Sequence, residues 1–161
     1  MNRRTFVASS IVLPTVGAMS LTAFAQDHDH HKNHKSGKHN KTVQRKISKQ
    51  ENALLDSLAA CTRTGEICIA HCIRLIANGE HQMVDCQKSV LNMVALAEAL
   101  HGVVAYGTAE KEHVTSLVKT AQMFMANCEK ECLKHAKYHA ECRECAEACQ
   151  SFEASAKAFL A

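Results

Sequence analysis

Residues 128–149 read CEKECLKHAKYHAECRECAEAC, a stretch that contains five cysteines and neither glycine nor proline. Residues three or four positions apart lie on the same face of a helix. Cys128 and Cys132 have this spacing, as do Cys142, Cys145 and Cys149. The stretch therefore predicts helical structure in which the thiols line a common face.

Four helices are predicted around this pattern. The first opens with a capping box at Ser48–Glu51 and ends near Asn78 and Gly79. The other three are predicted from about Gln82 to Tyr106, from Thr108 as N-cap to about Lys134, and from about His139 to Leu160. No glycine or proline separates the last two, so a single long helix is the alternative there.

The inward positions of each predicted helix alternate three and four residues apart, as in an antiparallel bundle. His135 and Tyr138 fall on this seam. So do all nine cysteines: Cys61, Cys68, Cys72, Cys86, Cys128, Cys132, Cys142, Cys145 and Cys149. Short connections bring these cysteines to one end. We predict an all-α, antiparallel four-helix bundle with a cysteine-lined core at one end and an apolar core at the other.

Nine thiols on a seam predict a soft metal ion as ligand. Cys61 to Cys72 alone spans about 16 Å of helix, which describes a tube rather than one site. Alternatives are core packing, disulfides, a zinc site, or an iron–sulfur cluster on Cys142, Cys145 and Cys149. The odd count and one-helix spacings disfavour disulfides, and zinc prefers closed sets of four ligands. Cu(I) fits best, because it prefers thiolates and several ions can be held.

Further soft and borderline donors lie at the cysteine end of the predicted bundle. We predict an uptake site formed by some of His71, His81, His135, His139 and Met83. The alternative for each is a surface histidine at a helix end or a core methionine. Met93, Met123 and Met125 are predicted to be core residues first and thioether ligands second.

The N-terminal residues read as an export signal. Arg3 and Arg4 precede an apolar run that ends in Ala23-Phe24-Ala25, which predicts a cleaved twin-arginine signal over residues 1–25 and a periplasmic protein. An uncleaved membrane anchor is the alternative. No later apolar run is predicted to span a membrane, so no stable membrane insertion is expected after cleavage.

Residues 26–44 are rich in histidine and lack the apolar residues that a core requires, so we predict a disordered segment. It is either a solvated spacer or a weak site for Cu(II), Ni(II) or Zn(II). Its histidines are His28, His30, His31, His34 and His39. Residues 45–161 form the predicted metal-binding domain. The chain holds 19 Lys+Arg and 16 Asp+Glu, and two of these arginines lie in the signal, so nucleic acid is not an expected partner.

The cysteine motifs resemble those of the bacterial copper storage proteins of the exported kind. The resemblance covers about residues 45–161 and rests on the twin-arginine start and on Cys68-x-x-x-Cys72, Cys128-x-x-x-Cys132 and Cys142-x-x-Cys145-Ala-Glu-Ala-Cys149. It implies a four-helix bundle, often tetrameric, that is filled with Cu(I) on inward thiolates, with copper-dependent enzymes as recipients. Half of this seam is apolar, which implies a lower capacity, and the histidine-rich segment is not part of the resemblance.

The preferred function is therefore storage of multiple Cu(I) ions without catalysis. One alternative is a periplasmic metallochaperone or buffer for copper or zinc. The other is a disulfide-stapled structural or redox protein.

Overall fold

The computed structural model describes residues 45–161, and the predicted segments 1–25 and 26–44 lie outside that range. The described chain forms four α-helices and no strand. Their bounds are α1 Lys49–Ala77, α2 Val84–Tyr106, α3 Lys111–Leu133 and α4 Ala140–Leu160, with a short 3-10 helix His81–Met83 before α2. The predicted all-α fold is confirmed.

Consecutive helices run antiparallel around a ring in which α1 and α3 each contact α2 and α4. At one end, a cavity is lined by residues from the start of α1 and α3 and from the end of α2 and α4, including Glu51, Val104, Val114 and Phe159. At the opposite end, Cys86 near the start of α2 contacts Cys132 near the end of α3. The topology is therefore up-down-up-down, as the short connections predict.

The start of α1 and the end of α2 follow the sequence signals, whereas α2 begins at Val84, two residues after the predicted Gln82, because a 3-10 helix precedes it. Ser48 Oγ accepts a hydrogen bond from the Glu51 backbone N–H at 3.1 Å, and the Glu51 carboxylate accepts one from the Ser48 N–H at 2.7 Å. This capping box satisfies two backbone donors that the first helical turn leaves free. The bond from the Ser48 backbone N–H holds the pKa of Glu51 below its usual value. At the other boundary, α2 ends at Gly107 in the left-handed conformation with φ of 61°.

The predicted start of α3 is wrong by two residues. Its N-cap is Glu110, in the extended conformation with φ of −61° and ψ of 145°, and its side chain makes no capping hydrogen bond. Thr108 is instead part of the link that follows the left-handed Gly107. The chain needs residues 107–110 to reverse direction between α2 and α3. Thr108 has a favourable capping side chain but is part of this turn, so it cannot cap α3.

The connection between α3 and α4 is a turn over residues 134–138, which excludes a single long helix. The Tyr138 N–H donates to the His135 carbonyl at 3.0 Å, a three-residue spacing that tightens the chain out of the α-helical path. His139 then has extended backbone angles before α4 begins. Tyr138 is 77% exposed, so its predicted seam position is wrong, because the helical register does not extend back through this turn.

A continuous buried core runs between the helices, and its apolar part is contributed by all four. Ala97 and Phe152 are fully buried in it, whereas Val114 and Phe159, near the end of the bundle, are only half-buried. The buried apolar residues outside the cysteines are Leu54, Leu58, Met83, Val90, Met93, Val94, Ala97, Leu100, Val104, Val118, Ala121, Met125, Ala146, Ala148, Phe152 and Ala156. Met93 and Met125 are therefore core residues as predicted. Met123 is 73% exposed, so its predicted core position is wrong: it lies two residues from Met125 on the outer side of α3.

Gly65 of α1 lies directly against side chains of α2. A Cβ atom at this position would lie 2.4 Å from Val94 Cγ2 and 2.9 Å from Met93 Cε. The absence of a side chain at Gly65 therefore allows Val94 and Met93 to fill the space against α1.

One expectation about membranes needs correction. The segment His81–Tyr106 is long and apolar enough to cross a membrane by length and composition alone, with a mean hydropathy of 1.4. The core helix of a soluble bundle meets the same criteria. Here one side of α2 is buried, through residues such as Val90 and Leu100, while the other side carries exposed Leu91, Ala95 and Ala99.

Candidate metal centre

The nine cysteines are all buried and all free, with no disulfide among them. None is more than 1% exposed. Three come from α1, one from α2, two from α3 and three from α4, so every helix contributes sulfur to the same end of the core. The disulfide-stapled alternative therefore does not describe this structure.

Sulfur atoms from different helices are in direct contact. The Sγ atoms are 3.7 Å apart for Cys86 and Cys132, which joins α2 to α3. The same separation joins Cys128 to Cys145 across α3 and α4, and Cys68 lies 3.8 Å from Cys142 across α1 and α4. These contacts connect the four helices through sulfur alone.

Three groups of cysteines each have Sγ atoms within 4.8 Å of one another. Cys68 belongs to the first and second groups, and Cys145 belongs to the second and third. The groups are Cys68, Cys72, Cys86 and Cys142; then Cys68, Cys132 and Cys145; then Cys128, Cys145 and Cys149. Because the groups share members, they form one connected path of sulfur along the bundle axis.

Cys61 lies outside these three groups. Its thiol donates a hydrogen bond to the Ala148 carbonyl at 3.4 Å, and it interacts with Cys149 of the sulfur path. Cys61 also precedes the close α1–α2 contact at Gly65 by one helical turn. It therefore marks the inner limit of the sulfur-lined part of the core.

The sulfur spacings match those of a metal–thiolate cluster. With a metal–sulfur distance of about 2.3 Å, two sulfurs on one ion lie about 3.8 Å apart in a tetrahedron, about 4.0 Å in a trigonal site and about 4.6 Å in a linear one. The four-sulfur group alone suits one zinc ion, but neither three-sulfur group forms a closed tetrahedron, and one of them shares Cys68 with the four-sulfur group. Shared thiolates and low coordination numbers are properties of soft Cu(I) sites.

In the metal-free protein five of the clustered thiols have a raised pKa. Hydrogen bonds with Cys132 and with Cys128 lower the pKa of Cys86 and of Cys145, respectively. Hydrogen bonds with Cys132, Cys142 and further thiols, together with burial, raise the pKa of Cys68. Contacts with Cys128 and Cys145 likewise raise the pKa of Cys132. The buried polar residues of the described chain are only Ser57, Thr64 and Ser89, none of which carries a compensating positive charge. Each metal ion that binds must therefore displace protons.

Three of the predicted uptake residues lie together beyond the sulfur path. His71 Nε2 is 3.0 Å from His139 Nδ1, and the ring centroids of His135 and His139 are 6.4 Å apart. Met83 is fully buried in the 3-10 helix, whereas His81 is exposed. We call His71, His135, His139 and Glu141 the mouth cluster.

Glu141 is the member of the mouth cluster that sequence reasoning missed. Its Oε1 lies 3.2 Å from His71 Nδ1, on a side chain that is 32% exposed, against 12% for His71. The contact joins α4 to α1 and so depends on how two helices pack. Its only sequence signal is its position directly before Cys142.

Together, a four-helix bundle and a connected path of buried thiols define a binding protein for several thiophilic metal ions. The profile of the copper storage protein family (Csp) matches residues 47–161, and the chain belongs to that family. The comparison with curated proteins gave no significant match.

Solved structures with a similar fold come from Streptomyces lividans. The copper storage protein Ccsp loaded with 10 copper equivalents aligns with a TM-score of 0.64 and 20% identity, over 74% of this chain and 92% of that chain. A cytosolic copper storage protein with five coppers aligns with a TM-score of 0.61 and 21% identity, over 69% and 94%. A Ccsp variant with two histidines replaced by alanine aligns with a TM-score of 0.62 and 19% identity, over 69% and 92%.

These comparisons contradict the prediction of an exported, periplasmic protein. One of the similar structures is of a protein described as cytosolic. The predicted twin-arginine signal lies outside the described residues, so the structure gives that prediction no support. We therefore correct it and do not assign the chain to the periplasm.

Proposed function

We propose that this chain stores several Cu(I) ions along the sulfur path of its bundle. The observation that carries the proposal is the overlap of the three cysteine groups through Cys68 and Cys145. A thiolate shared by two groups bridges two ions, so one path holds a chain of ions rather than a single one. Cu(I) suits such a path because it accepts two or three thiolates.

The relatives support the same cargo. The Streptomyces proteins of similar fold are described with five coppers and with 10 copper equivalents. This chain has nine cysteines and a core whose other half is apolar, which favours a modest number of ions per chain.

We assign all nine cysteines as copper ligands and His71, His135, His139 and Met83 to the uptake site. We infer that copper passes from the histidines of the uptake site to the cysteines. His71 and His139 support this order, because they are in contact with each other and lie close in sequence to Cys72 and Cys142. Met83 is buried three residues before Cys86, where its thioether suits a soft ion.

We also propose that the chain catalyses no reaction. The three buried hydroxyl groups of the described chain each donate to a carbonyl of their own helix. Ser57 bonds to Leu54 at 2.8 Å, Thr64 to Ala60 at 2.9 Å and Ser89 to Cys86 at 2.8 Å. These bonds leave the hydroxyls engaged with the backbone of their own helices and not with a substrate site. The buried thiols are poor nucleophiles toward an external substrate.

The further partners that we propose are other copies of this chain and copper-dependent enzymes that receive the metal. A tetramer is the assembly that the family resemblance implies. The outward side of α2 supports a contact between copies, because it exposes Leu91, Ala95 and Ala99. Leu91 is 48% exposed. An apolar helix face of this kind is typical of a subunit contact.

An anaerobic Cu(I) titration of the reduced protein against a competing chelator tests the storage function. We expect a plateau of several ions per chain, with protons released as the thiols bind. A plateau near one ion would favour the metallochaperone alternative, and preferential retention of zinc from an equimolar mixture would favour a zinc buffer.

A pair of variants sharpens this titration. Replacing Cys68 and Cys72 by serine removes members of two cysteine groups and should lower the plateau while the helical content stays nearly unchanged. Cys61→Ser is the matched control, because Cys61 belongs to none of the three groups and its loss should lower the plateau least. Equal losses in both variants would contradict the shared-ligand path.

A further inference from the structure

The mouth cluster contains a chain of three side chains in polar contact, which come from α1 and from the start of α4. Glu141 Oε1 lies 3.2 Å from His71 Nδ1, and His71 Nε2 lies 3.0 Å from His139 Nδ1. Both ring nitrogens of His71 are therefore in contact with a partner. This places His71 between a carboxylate and a second imidazole.

The carboxylate determines where the ring protons sit. The Glu141 carboxylate attracts an N–H and repels a nitrogen lone pair, so the proton of His71 is favoured on Nδ1. A neutral imidazole has only one N–H, so Nε2 of His71 must accept, and the donor is then Nδ1–H of His139. With both rings neutral, the remaining lone pair of His139 is on its Nε2 atom.

We propose that Glu141 is a positioning residue for copper uptake: through His71, it holds His139 in the tautomer that offers the Nε2 lone pair to an incoming Cu(I) ion. The inference rests on the proposed storage function and deepens it. In this arrangement His139 is the ligand of the uptake site, and His71 transmits the orientation from Glu141. His139 lies three residues before Cys142, which begins the sulfur path on α4.

A chelating site on the same residues is the competing interpretation. A metal held by His71, His139 and Glu141 together requires three ligand atoms that converge on one point. Among the described residues, the groups of ligand atoms that lie within 4.8 Å of one another consist of cysteines only. The contacts of Glu141 and His139 are on opposite nitrogens of the His71 ring, which describes a relay and not a chelate.

Imidazole nitrogen NMR of the metal-free protein at about pH 8, where an ordinary histidine is neutral, tests the tautomers directly. In the wild-type protein we expect both His71 and His139 to carry the proton on Nδ1. In Glu141→Ala this preference should disappear for both rings. Glu141→Gln should retain it, because the amide oxygen still accepts from His71. Glu144→Ala, on the exposed face of the same helix, should leave it unchanged. A wild-type His139 with its proton on Nε2, or a Glu141→Ala spectrum identical to wild type, would overturn the proposal.

Rapid-mixing kinetics of Cu(I) transfer from a chelator test the consequence for uptake. We expect Glu141→Ala to take up copper about 10-fold more slowly than wild type, the size typical for loss of a residue that orients a metal ligand. Its final plateau should be unchanged, and Glu141→Gln and Glu144→Ala should match wild type. Equal rates in Glu141→Ala and Glu144→Ala would overturn the proposal while leaving storage intact. Failure of the wild-type protein to bind copper would overturn the storage function, and the tautomer measurement on the metal-free protein would still test how His139 is held.

Discussion

The two halves of the core have equal burial and different chemistry. Around Leu58, Leu100 and Phe152 the helices meet through large apolar side chains that are fully buried. Around Cys68 and Cys142 they meet through thiols of smaller volume whose Sγ atoms are less than 4 Å apart. The burial of apolar side chains stabilises the folded protein with or without metal. The clustered thiols contribute most of their stabilisation only when a metal ion is bound to them.

We infer from this difference that one end of the bundle provides the stability of the metal-free fold and that the other end determines how many copper ions are bound. Changes in the apolar half should alter the free energy of unfolding and leave the copper plateau unchanged. Changes in the sulfur half should lower the plateau and have smaller effects on the metal-free fold. The predictions below test this separation.

Copper loading should give the largest effect. A ligand present at a thousandfold excess over its dissociation constant stabilises the folded state by about 4 kcal/mol per site, and several sites act together. Thermal unfolding under anaerobic conditions should show a large rise in the melting temperature with Cu(I), reversed by a strong chelator. The variant with serine at positions 68 and 72 should show a smaller rise, and an equal rise would contradict the role of Cys68 and Cys72.

Phe152→Ala should produce the largest effect of a single substitution on the metal-free protein. Phe152 is fully buried in the apolar half, and such truncations cost about 3–5 kcal/mol. Urea unfolding measures this loss. Phe124→Ala is the matched control, because Phe124 is 39% exposed and its loss should cost much less. A reduced copper plateau in folded Phe152→Ala would show that the two halves are not separable.

The boundary between the halves is tested by glycine substitutions. Gly65→Ala places a Cβ atom 2.4 Å from Val94 Cγ2, so we expect a loss of about 1–3 kcal/mol from overpacking. Gly102→Ala is the control: its Cβ meets only the Tyr106 ring, at 3.6 Å. That change should stabilise the protein by up to about 1 kcal/mol, since alanine favours a helix. Destabilisation by both substitutions would mean that helix packing at Gly65 is not the cause.

The smallest effect is expected at the N-terminus of α1, far from the sulfur path. Ser48→Ala removes the hydroxyl that accepts the Glu51 N–H and should cost about 1 kcal/mol in urea unfolding. The copper plateau should not change. A change in the plateau would show that the start of α1 influences the opposite end of the bundle.

The same cap gives a pH dependence with a defined sign. The Ser48 backbone N–H lowers the pKa of Glu51 in the folded state. A lowered carboxyl pKa contributes stability above the unfolded pKa, and that contribution is lost as the pH falls through the folded value. Glu51→Gln should therefore show a smaller acid-induced loss of stability than wild type. An identical acid profile would assign the acid sensitivity to other groups.

Much of the fold was predictable because it depends on local signals. The three-and-four spacing placed all nine cysteines inside, Ser48 and Glu51 marked the start of α1, and Gly107 marked the end of α2. The errors lie where local signals compete with geometry. Thr108 has a favourable capping side chain, but it lies in the turn after Gly107 and does not begin α3. Tyr138 would face the core only if α4 extended back through the turn over residues 134–138.

The site was predictable in its ligands and not in its cross-helix contacts. Periodicity indicates that Cys68 and Cys142 face the core, but not that their Sγ atoms lie 3.8 Å apart. Glu141 shows the limit most clearly. Its helix carries Glu141, Glu144 and Glu147 at equal three-residue spacing, and only the packing of α4 on α1 distinguishes the first, which contacts His71.

The central claim is that the sulfur half of the core, and not the apolar half, holds a row of copper ions. Anomalous diffraction at the copper edge from crystals of the Cu(I)-loaded protein tests it most directly. We predict several copper peaks between the sulfurs that run from Cys72 to Cys61 and none beside Leu100 or Phe152. A single peak, or peaks in the apolar half of the core, would contradict the account.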